Sequence, residues 1–417
     1  MFPSLRQDAD GGSIAGVWSR QSSARYRSRV PPSAQPLAIE PTHIDIPADV
    51  LIDLSDRLAR TRWFDGIDGS GWDYGTDITY LRELCEYWRS GFDWPAVQER
   101  LNAFDQVVTH VDGQRLHAFH QRSPRPDATP LLLIHGWPGS VIEFIDVIGP
   151  LSDPAAYGAP DAPAFHVVCP SIPGYGFSGP TSERGWNVRR ISSAFDDLMH
   201  ALGYDHYAAA GGDWGSNIAT DLARSDRSGS LTALHLTMPT GLPPADGEQD
   251  DLNDFEQQGL ADWDRAVATG RVNHVGTNTH RPHTMTVAMN DSPAGLLSWL
   301  VDMCRSFTVM DGDVEDALTR DQLLANATIY WATGTIASAC RLYSEWAEQK
   351  RNDPNPPWVT VPTSVSIFPT DVRRWPRAWA ERSLNIVDWE VMPVGGHFGS
   401  WEQPELFVSS VRRALKQ

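Results

Sequence analysis

One five-residue stretch constrains the architecture more than any other: Gly211-Gly212-Asp213-Trp214-Gly215. It follows the short apolar run 206–210, which suits a buried strand, and it precedes residues 216–224, whose composition is helical. A strand that turns sharply into a helix brings the outer residues of the turn close to neighbouring backbone, so both positions favour glycine. The pattern predicts a strained strand-to-helix turn with Asp213 exposed at its tip.

A carboxylate at the tip of such a turn restricts the chemistry. A serine there attacks acyl carbon, whereas on sp³ carbon it would form an ether that water cannot cleave. An aspartate that attacks sp³ carbon forms an ester, whose carbonyl an activated water can attack. Asp213 therefore indicates opening of epoxides or displacement of halide, and it argues against lipases, peptidases and ordinary esterases. The alternative is a loop turn in which Asp213 only caps the next helix.

Two residues near the C-terminus complete a candidate triad. The alternating run 385–394 predicts a strand that leads into Gly-Gly-His-Phe, which places His397 on a loop after the last strand. The apolar run 365–369 comes just before Asp371. The chain order of nucleophile, acid and histidine is that of the α/β-hydrolase fold. A surface histidine and a turn aspartate are the alternatives for these two residues.

A third element is the loop 135–140, His-Gly-Trp-Pro-Gly-Ser, which follows the apolar run 130–134. In this fold the backbone N–H groups after His-Gly and after the nucleophile form the oxyanion hole, which here means Trp137 and Trp214. These amides would hold the negative charge that forms when water attacks the ester. We expect His135 itself to be a buried, hydrogen-bonded structural residue.

Together these stretches resemble the microsomal-type epoxide hydrolases over roughly residues 38–415. Further stretches that carry the resemblance are Thr61-Arg62-Trp63, Tyr87-Trp88, Phe92-Asp93-Trp94, residues 170–178 (PSIPGYGFS), residues 290–296 (NDSPAGL) and Tyr330-Trp331. The resemblance implies that Asp213 is the nucleophile, Asp371 the charge-stabilising acid and His397 the base. The family often has Glu at the acid position, and Asp keeps the same charge.

The resemblance also implies two lid tyrosines that protonate the epoxide oxygen. One falls on Tyr343, whereas the expected position of the other holds His274. A phenol has a reference pKa of about 10 and an imidazole one of about 6.5, so both can donate a proton, the imidazole more strongly when it is cationic. The alternatives for His274 are a changed substrate, lost epoxide chemistry or a residue on the lid surface.

The sequence predicts an α/β-hydrolase fold, in which a mostly parallel sheet flanked by helices carries a helical lid and an N-terminal helical extension. The core pattern stops after residue 238 and resumes near residue 363, a gap too long for a structureless loop. The predicted regions are a flexible tail (1–37), the helical extension (38–108), the first part of the core (109–240), the lid (241–360) and the second part of the core (361–417).

Composition restricts the partners. The net charge of −19 argues against nucleic acid and anionic membranes and favours neutral or cationic ligands. The four widely spaced cysteines predict unpaired thiols, and with no run long enough to span a membrane we expect a soluble, cytoplasmic protein. We expect no metal, because nothing in the sequence resembles a metal cluster. We also expect no nicotinamide or flavin cofactor, because prolines separate the G-x-G-x-x-G match at 174–179 from any strand-to-helix turn. The expected ligands are a small apolar epoxide and water, and the sequence is compatible with a homodimer.

We therefore expect a cofactor-independent hydrolase that converts an epoxide to a vicinal diol through a covalent aspartyl ester. Two alternatives stay open. A haloalkane-type dehalogenase would use the same Asp-His-Asp triad, and a noncatalytic relative would only bind a small molecule. Tyr343 favours the epoxide over the halide, and the complete triad disfavours a protein that only binds.

Overall fold

The computed structural model describes residues 37–245, 250–309 and 312–415, so the predicted tail 1–37 lies outside the described residues except for Leu37. The strands of this part of the chain form one sheet in the order β1-β2-β3-β5-β4-β6-β7-β8-β9. Their bounds are β1 (Glu40–Thr42), β2 (Gln106–Val111), β3 (Gln114–Gln121), β4 (Thr129–Ile134), β5 (Phe165–Pro170), β6 (Tyr207–Gly211), β7 (Leu231–Leu236), β8 (Val359–Ile367) and β9 (Leu384–Val391).

Strands β4 to β9 pair with one another in parallel. Strands β1, β2 and β3 are antiparallel and extend the sheet at the β5 edge. Parallel strands are covered by helices on both faces, which is why β4 and β6 are continuous apolar runs rather than alternating ones. Leu131 to Ile134 are fully buried. The predicted α/β fold with a mostly parallel sheet is confirmed.

Three helices precede the parallel strands: α1 (Ala48–Ala59), α2 (Ile78–Ser90) and α3 (Trp94–Leu101). The second begins where Asp77 accepts hydrogen bonds from two backbone amides of its first turn, and its apolar face is buried. Its Trp88 Nε1 donates to Thr328 Oγ1 at 2.9 Å, in the segment between β7 and β8. The N-terminal helices therefore pack against the insertion that follows β7.

The helices between β4 and β7 are α4 (Ile148–Ser152), α5 (Val188–Ala201) and α6 (Asp213–Ser225). The insertion between β7 and β8 is helical and contains α7 (Asp254–Ala268), α8 (His274–His280), α9 (Pro282–Asp291), α10 (Pro293–Thr308), α11 (Arg320–Thr333) and α12 (Ile336–Asn352). Local sequence signals determine where such a helix begins and ends. For example, α11 begins in a capping box of Thr319 with Gln322 and ends at Gly334, whose φ is +61°. This insertion is the lid.

The last helices are α13 (Arg377–Glu381), α14 (Gly399–Glu402) and α15 (Pro404–Ala414). Two predicted strand boundaries were inaccurate. The strand expected over 385–394 ends at Val391, and β8 begins at Val359, four residues before the expected return of the core pattern. Over the described ranges, no helix is both long enough and apolar enough to cross a membrane.

Candidate active site

Asp213 lies at the turn between β6 and α6, at the carboxyl edge of the sheet. Its φ is +46°, a left-handed conformation that costs a non-glycine residue roughly 1–2 kcal/mol. A Cβ at Gly211 would lie 2.6 Å from the carbonyl carbon of Gly215, and a Cβ at Gly215 would overlap the Ile134 carbonyl. The predicted strained turn is therefore present, and its glycines are required by close backbone approach.

The alternative role of Asp213 as a helix cap is wrong. The residue before α6 is Gly212, and no side-chain hydrogen bond caps this helix. Instead the Trp137 N–H donates to Asp213 Oδ1 at 2.8 Å, while Oδ2 lies 4.0 Å from Nε2 of His397. One carboxylate oxygen is thus held by a backbone amide and the other faces an imidazole.

His397 lies on the loop between β9 and α14 and is buried. Its Nδ1 is 3.0 Å from Asp371 Oδ1, which follows β8, so the imidazole presents Nε2 to Asp213. Burial alone would lower the pKa of His397, but the Asp371 carboxylate with its hydrogen bond, together with Asp213 and Glu143, raises it to about 9. The structure thus brings together the three residues that the sequence predicted as a triad.

The loop after β4 closely approaches the strand-to-helix turn at residues 211–215, which we call the elbow, because Gly136 has no side chain. A Cβ at Gly136 would lie 2.5 Å from the Cβ of Asp213. His135 is buried, its Nε2 accepts the Ile172 N–H at 3.1 Å, and burial lowers its pKa to about 4, so the ring is neutral and structural as expected. The Trp137 amide contacts Asp213, whereas the Trp214 amide stays a predicted oxyanion donor.

The lid places an aromatic cluster above the elbow. The ring of Tyr343, on α12, stands edge-on to Trp214 with 4.7 Å between ring centroids, and edge-on to Trp137 at 5.7 Å. Burial, with Asp213 nearby, raises the pKa of the Tyr343 phenol well above its ordinary value. The phenol therefore keeps its proton and is available as a proton donor.

His274, the first residue of α8, belongs to the same cluster. Its ring stacks on Trp137 at 5.1 Å and stands edge-on to Tyr343 at 5.7 Å. The alternative of a lid surface residue is wrong, because only 5% of His274 is exposed. Burial, with a contribution from the cationic His397, lowers its pKa to about 3, so the ring is neutral, and Nδ1 has no hydrogen-bond partner in the described structure.

Sequence reasoning missed Glu143, which lines a small cavity together with Asp213 and His397. The residue is 6% exposed and lies in a 3₁₀ turn, Val141–Phe144, directly after the His-Gly-Trp-Pro-Gly-Ser loop. The available signal was a single acidic residue within the apolar run 141–145. In the described ranges, no group of three or more His, Cys, Asp or Glu side chains is placed to hold a metal ion.

Comparisons with known proteins show which family the chain is similar to. Residues 39–144 match the model of the epoxide hydrolase N terminus, and residues 129–335 match that of the α/β-hydrolase fold. A Stigmatella aurantiaca protein named as an epoxide hydrolase is 39% identical over 380 residues, which cover 91% of this chain and 85% of that protein. Epoxide hydrolase 1 of Sus scrofa is 32% identical, with 92% and 90% covered. The structure of the Aspergillus niger epoxide hydrolase superposes with a TM-score of 0.81 at 27% identity and covers 92% of this chain and 97% of that one.

Proposed function

The chain belongs to the epoxide hydrolases, and from this premise we propose that it adds water to a small apolar epoxide through an ester of Asp213. The observation that carries the proposal is the pair of contacts made by the Asp213 carboxylate. The Trp137 amide binds Oδ1, and the imidazole that Asp371 orients faces Oδ2. This arrangement can form an ester at the elbow and then hydrolyse it.

Ring opening uses the lid. The Asp213 carboxylate attacks an epoxide carbon from the side opposite the ring oxygen, and the carbon–oxygen bond breaks. The departing oxygen takes the phenolic proton of Tyr343, which burial keeps on the phenol. The neutral ring of His274 supplies a second N–H to the same oxygen as a hydrogen-bond donor, since its Nδ1 has no hydrogen-bond partner among the described residues. The product of this step is a hydroxyalkyl ester of Asp213.

Ester hydrolysis uses the core. His397 Nε2 removes a proton from water as the water oxygen bonds to Cγ of Asp213. The Trp137 and Trp214 amides stabilise the resulting oxyanion. The tetrahedral intermediate collapses, the bond from Cγ to the ester oxygen breaks, and that oxygen takes the proton back from His397 and leaves as a hydroxyl of the diol.

The charge of Asp213 links the two steps. In the free protein the pKa of His397 is about 9, so the imidazole is cationic at neutral pH. Esterification removes the negative charge of Asp213, which is one of the charges that raise this pKa. The pKa of His397 therefore falls when the ester forms, and the imidazole loses a proton, which restores the Tyr343 phenol, before the step that needs a base. After hydrolysis the Asp213 carboxylic acid returns a proton to His397, which regenerates the carboxylate and the cationic imidazole.

A substrate panel tests the proposed function. The protein should release diol from simple aryl or alkyl epoxides and no halide from haloalkanes of matched size. Halide release without diol would instead support the dehalogenase alternative. If neither product forms although the ligands bind, the chain acts as a binding protein and the proposal is wrong.

A further inference from the structure

A small, mostly enclosed cavity of about 20 Å³ lies beneath the elbow, on the core side of Asp213. Its polar lining residues are Asp213, Glu143, His397, Thr237 and Ser400. A cavity needs roughly 10–15 Å³ and several polar neighbours to hold one water molecule. This cavity therefore has the size and the lining for a single water beside the nucleophile.

Glu143 is an unusual residue in the lining of this cavity because it is a buried acidic residue without a cationic partner in the described structure. Its side chain has no salt bridge to Lys, Arg or His in the described structure, and its Oε1 has no hydrogen-bond partner there. Burial raises its pKa to about 8, with the nearby His397 acting in the opposite direction. A carboxyl group offers a water molecule an acceptor, and also a donor when it is protonated. A buried polar atom without a partner normally signals a function or a bound water.

The surrounding backbone makes room for this carboxyl group. A Cβ at Gly139 would overlap Glu143 Oε1, so the group occupies space that any other residue at 139 would fill. On its other side, the Gly136 amide interacts with the carboxyl group and opposes the rise of its pKa. The same loop thus positions Glu143 through Gly136 and Gly139, and presents the Trp137 amide to Asp213.

We infer that Glu143 holds the water molecule that hydrolyses the Asp213 ester, in a step that rests on the function proposed above. The water would lie in the cavity, between the Glu143 carboxyl group, Nε2 of His397 and Cγ of Asp213. Glu143 orients the water by accepting or donating one hydrogen bond, and its protonation state does not change. The proton that leaves the water goes to His397, so Glu143 is a positioning residue.

The inference predicts an effect on one step only. Replacement of Glu143 should leave ring opening unchanged, because the epoxide lies on the lid side of Asp213 and the cavity on the core side. Hydrolysis of the ester should slow, because the water loses one of the contacts that align it with the ester carbonyl. A residue that only stabilised the fold would change both steps together or neither.

The experiment compares the full-length protein with Glu143→Gln and Glu143→Leu in single-turnover reactions with styrene oxide. Intact-protein mass spectrometry follows the ester, and diol release reports hydrolysis. Ester formation should stay within about twofold of the unsubstituted rate, while hydrolysis slows about threefold for Gln, which keeps a donor and an acceptor, and tenfold or more for Leu. The ester should therefore accumulate least in the unsubstituted protein, more in Glu143→Gln and most in Glu143→Leu. If the Leu variant does not fold, the Gln variant alone carries the test.

The matched control is Glu345→Gln. Burial also raises the pKa of Glu345, but this residue accepts the Gly185 N–H at 3.0 Å and does not line the cavity. Its hydrolysis rate should be unchanged. Ester hydrolysis at the unsubstituted rate in a folded Glu143 variant would overturn the inference alone. Failure of the unsubstituted protein to form any ester would overturn the proposed function, and the role of Glu143 with it.

Discussion

On the core side of the site, Asp213, Asp371 and His397 follow the ends of β6, β8 and β9, whereas on the lid side Tyr343 and His274 belong to α12 and α8. We call these groups the core half and the lid half. Backbone geometry and ionic hydrogen bonds fix the core half: a strained turn, the Trp137 amide and the bond from His397 to Asp371. In the lid half, contacts between aromatic rings position the side chains of Tyr343 and His274.

This structural difference corresponds to a division of roles in the proposed reaction, between chemistry at the ester and donation to the leaving oxygen. In the proposed mechanism the core half makes and hydrolyses the ester, and each of its members has a defined partner. In the same proposal the lid half supplies protons or hydrogen bonds to the leaving oxygen, and one of its two members is a neutral histidine where the family resemblance implies a tyrosine. Substitutions in the core half should therefore abolish turnover, and those in the lid half should change only ring opening.

The largest effect is expected for Asp213→Asn. The amide is a poor nucleophile and cannot form the ester, so diol formation should fall by at least about 10⁴-fold. Far-UV circular dichroism should show an unchanged fold. Steady-state rates with styrene oxide measure the loss. A folded Asp213→Asn protein with activity within tenfold of the original would remove Asp213 from the mechanism.

The next effect is expected for His397→Gln, which separates the two steps within the core half. Ring opening should continue for one turnover because Asp213 and the lid donors remain, but hydrolysis should slow by roughly 10³-fold without the base. Mass spectrometry should then detect stoichiometric ester. A variant that loses ester formation as well would show that the imidazole also acts in ring opening.

A smaller effect is expected for Tyr343→Phe in the lid half. Loss of the phenolic proton should slow ring opening by about 100-fold and leave hydrolysis of a preformed ester unchanged. Tyr175→Phe is the matched control, since this buried phenol donates to the Ala339 carbonyl at 3.2 Å and has no predicted role. Equal losses in both variants would indicate a packing effect instead of proton donation.

The smallest effect is expected for His274→Phe, which keeps the stacking on Trp137 and removes the N–H. Ring opening should slow about fivefold, the size of one lost hydrogen bond. Because the folded pKa of His274 is about 3, the imidazole stays neutral throughout pH 5–8 and contributes no titration there. The acid limb of the pH profile should therefore be the same with and without His274. A shift of that limb would mean that His274 acts as a cation.

The sequence predicted the core half well because its signals are local. The glycines around Asp213, the His-Gly-Trp loop and the position of His397 after the last strand are each encoded within a few residues. Chain order then related these segments to one another, and the family resemblance added their roles. The resemblance to epoxide hydrolases is confirmed by the comparisons.

The lid half and the cavity were harder to predict from the sequence because they depend on contacts between distant segments. The burial of His274 follows from its stacking on Trp137, which is 137 positions earlier in the chain, and no pattern around residue 274 encodes that contact. Glu143 was missed because its proposed role depends on a cavity that five separate segments of the chain enclose. The short strand β1 was also missed, since its three residues pair only through β2.

The most direct test of the covalent mechanism is a single turnover of excess protein with an epoxide in water labelled with ¹⁸O. If Asp213 attacks the ring, the new hydroxyl oxygen of the first diol comes from its carboxylate, so that diol should carry no label and the labelled oxygen should remain on Asp213. A first diol that carries ¹⁸O would show that water attacks the epoxide directly, and it would contradict the ester mechanism.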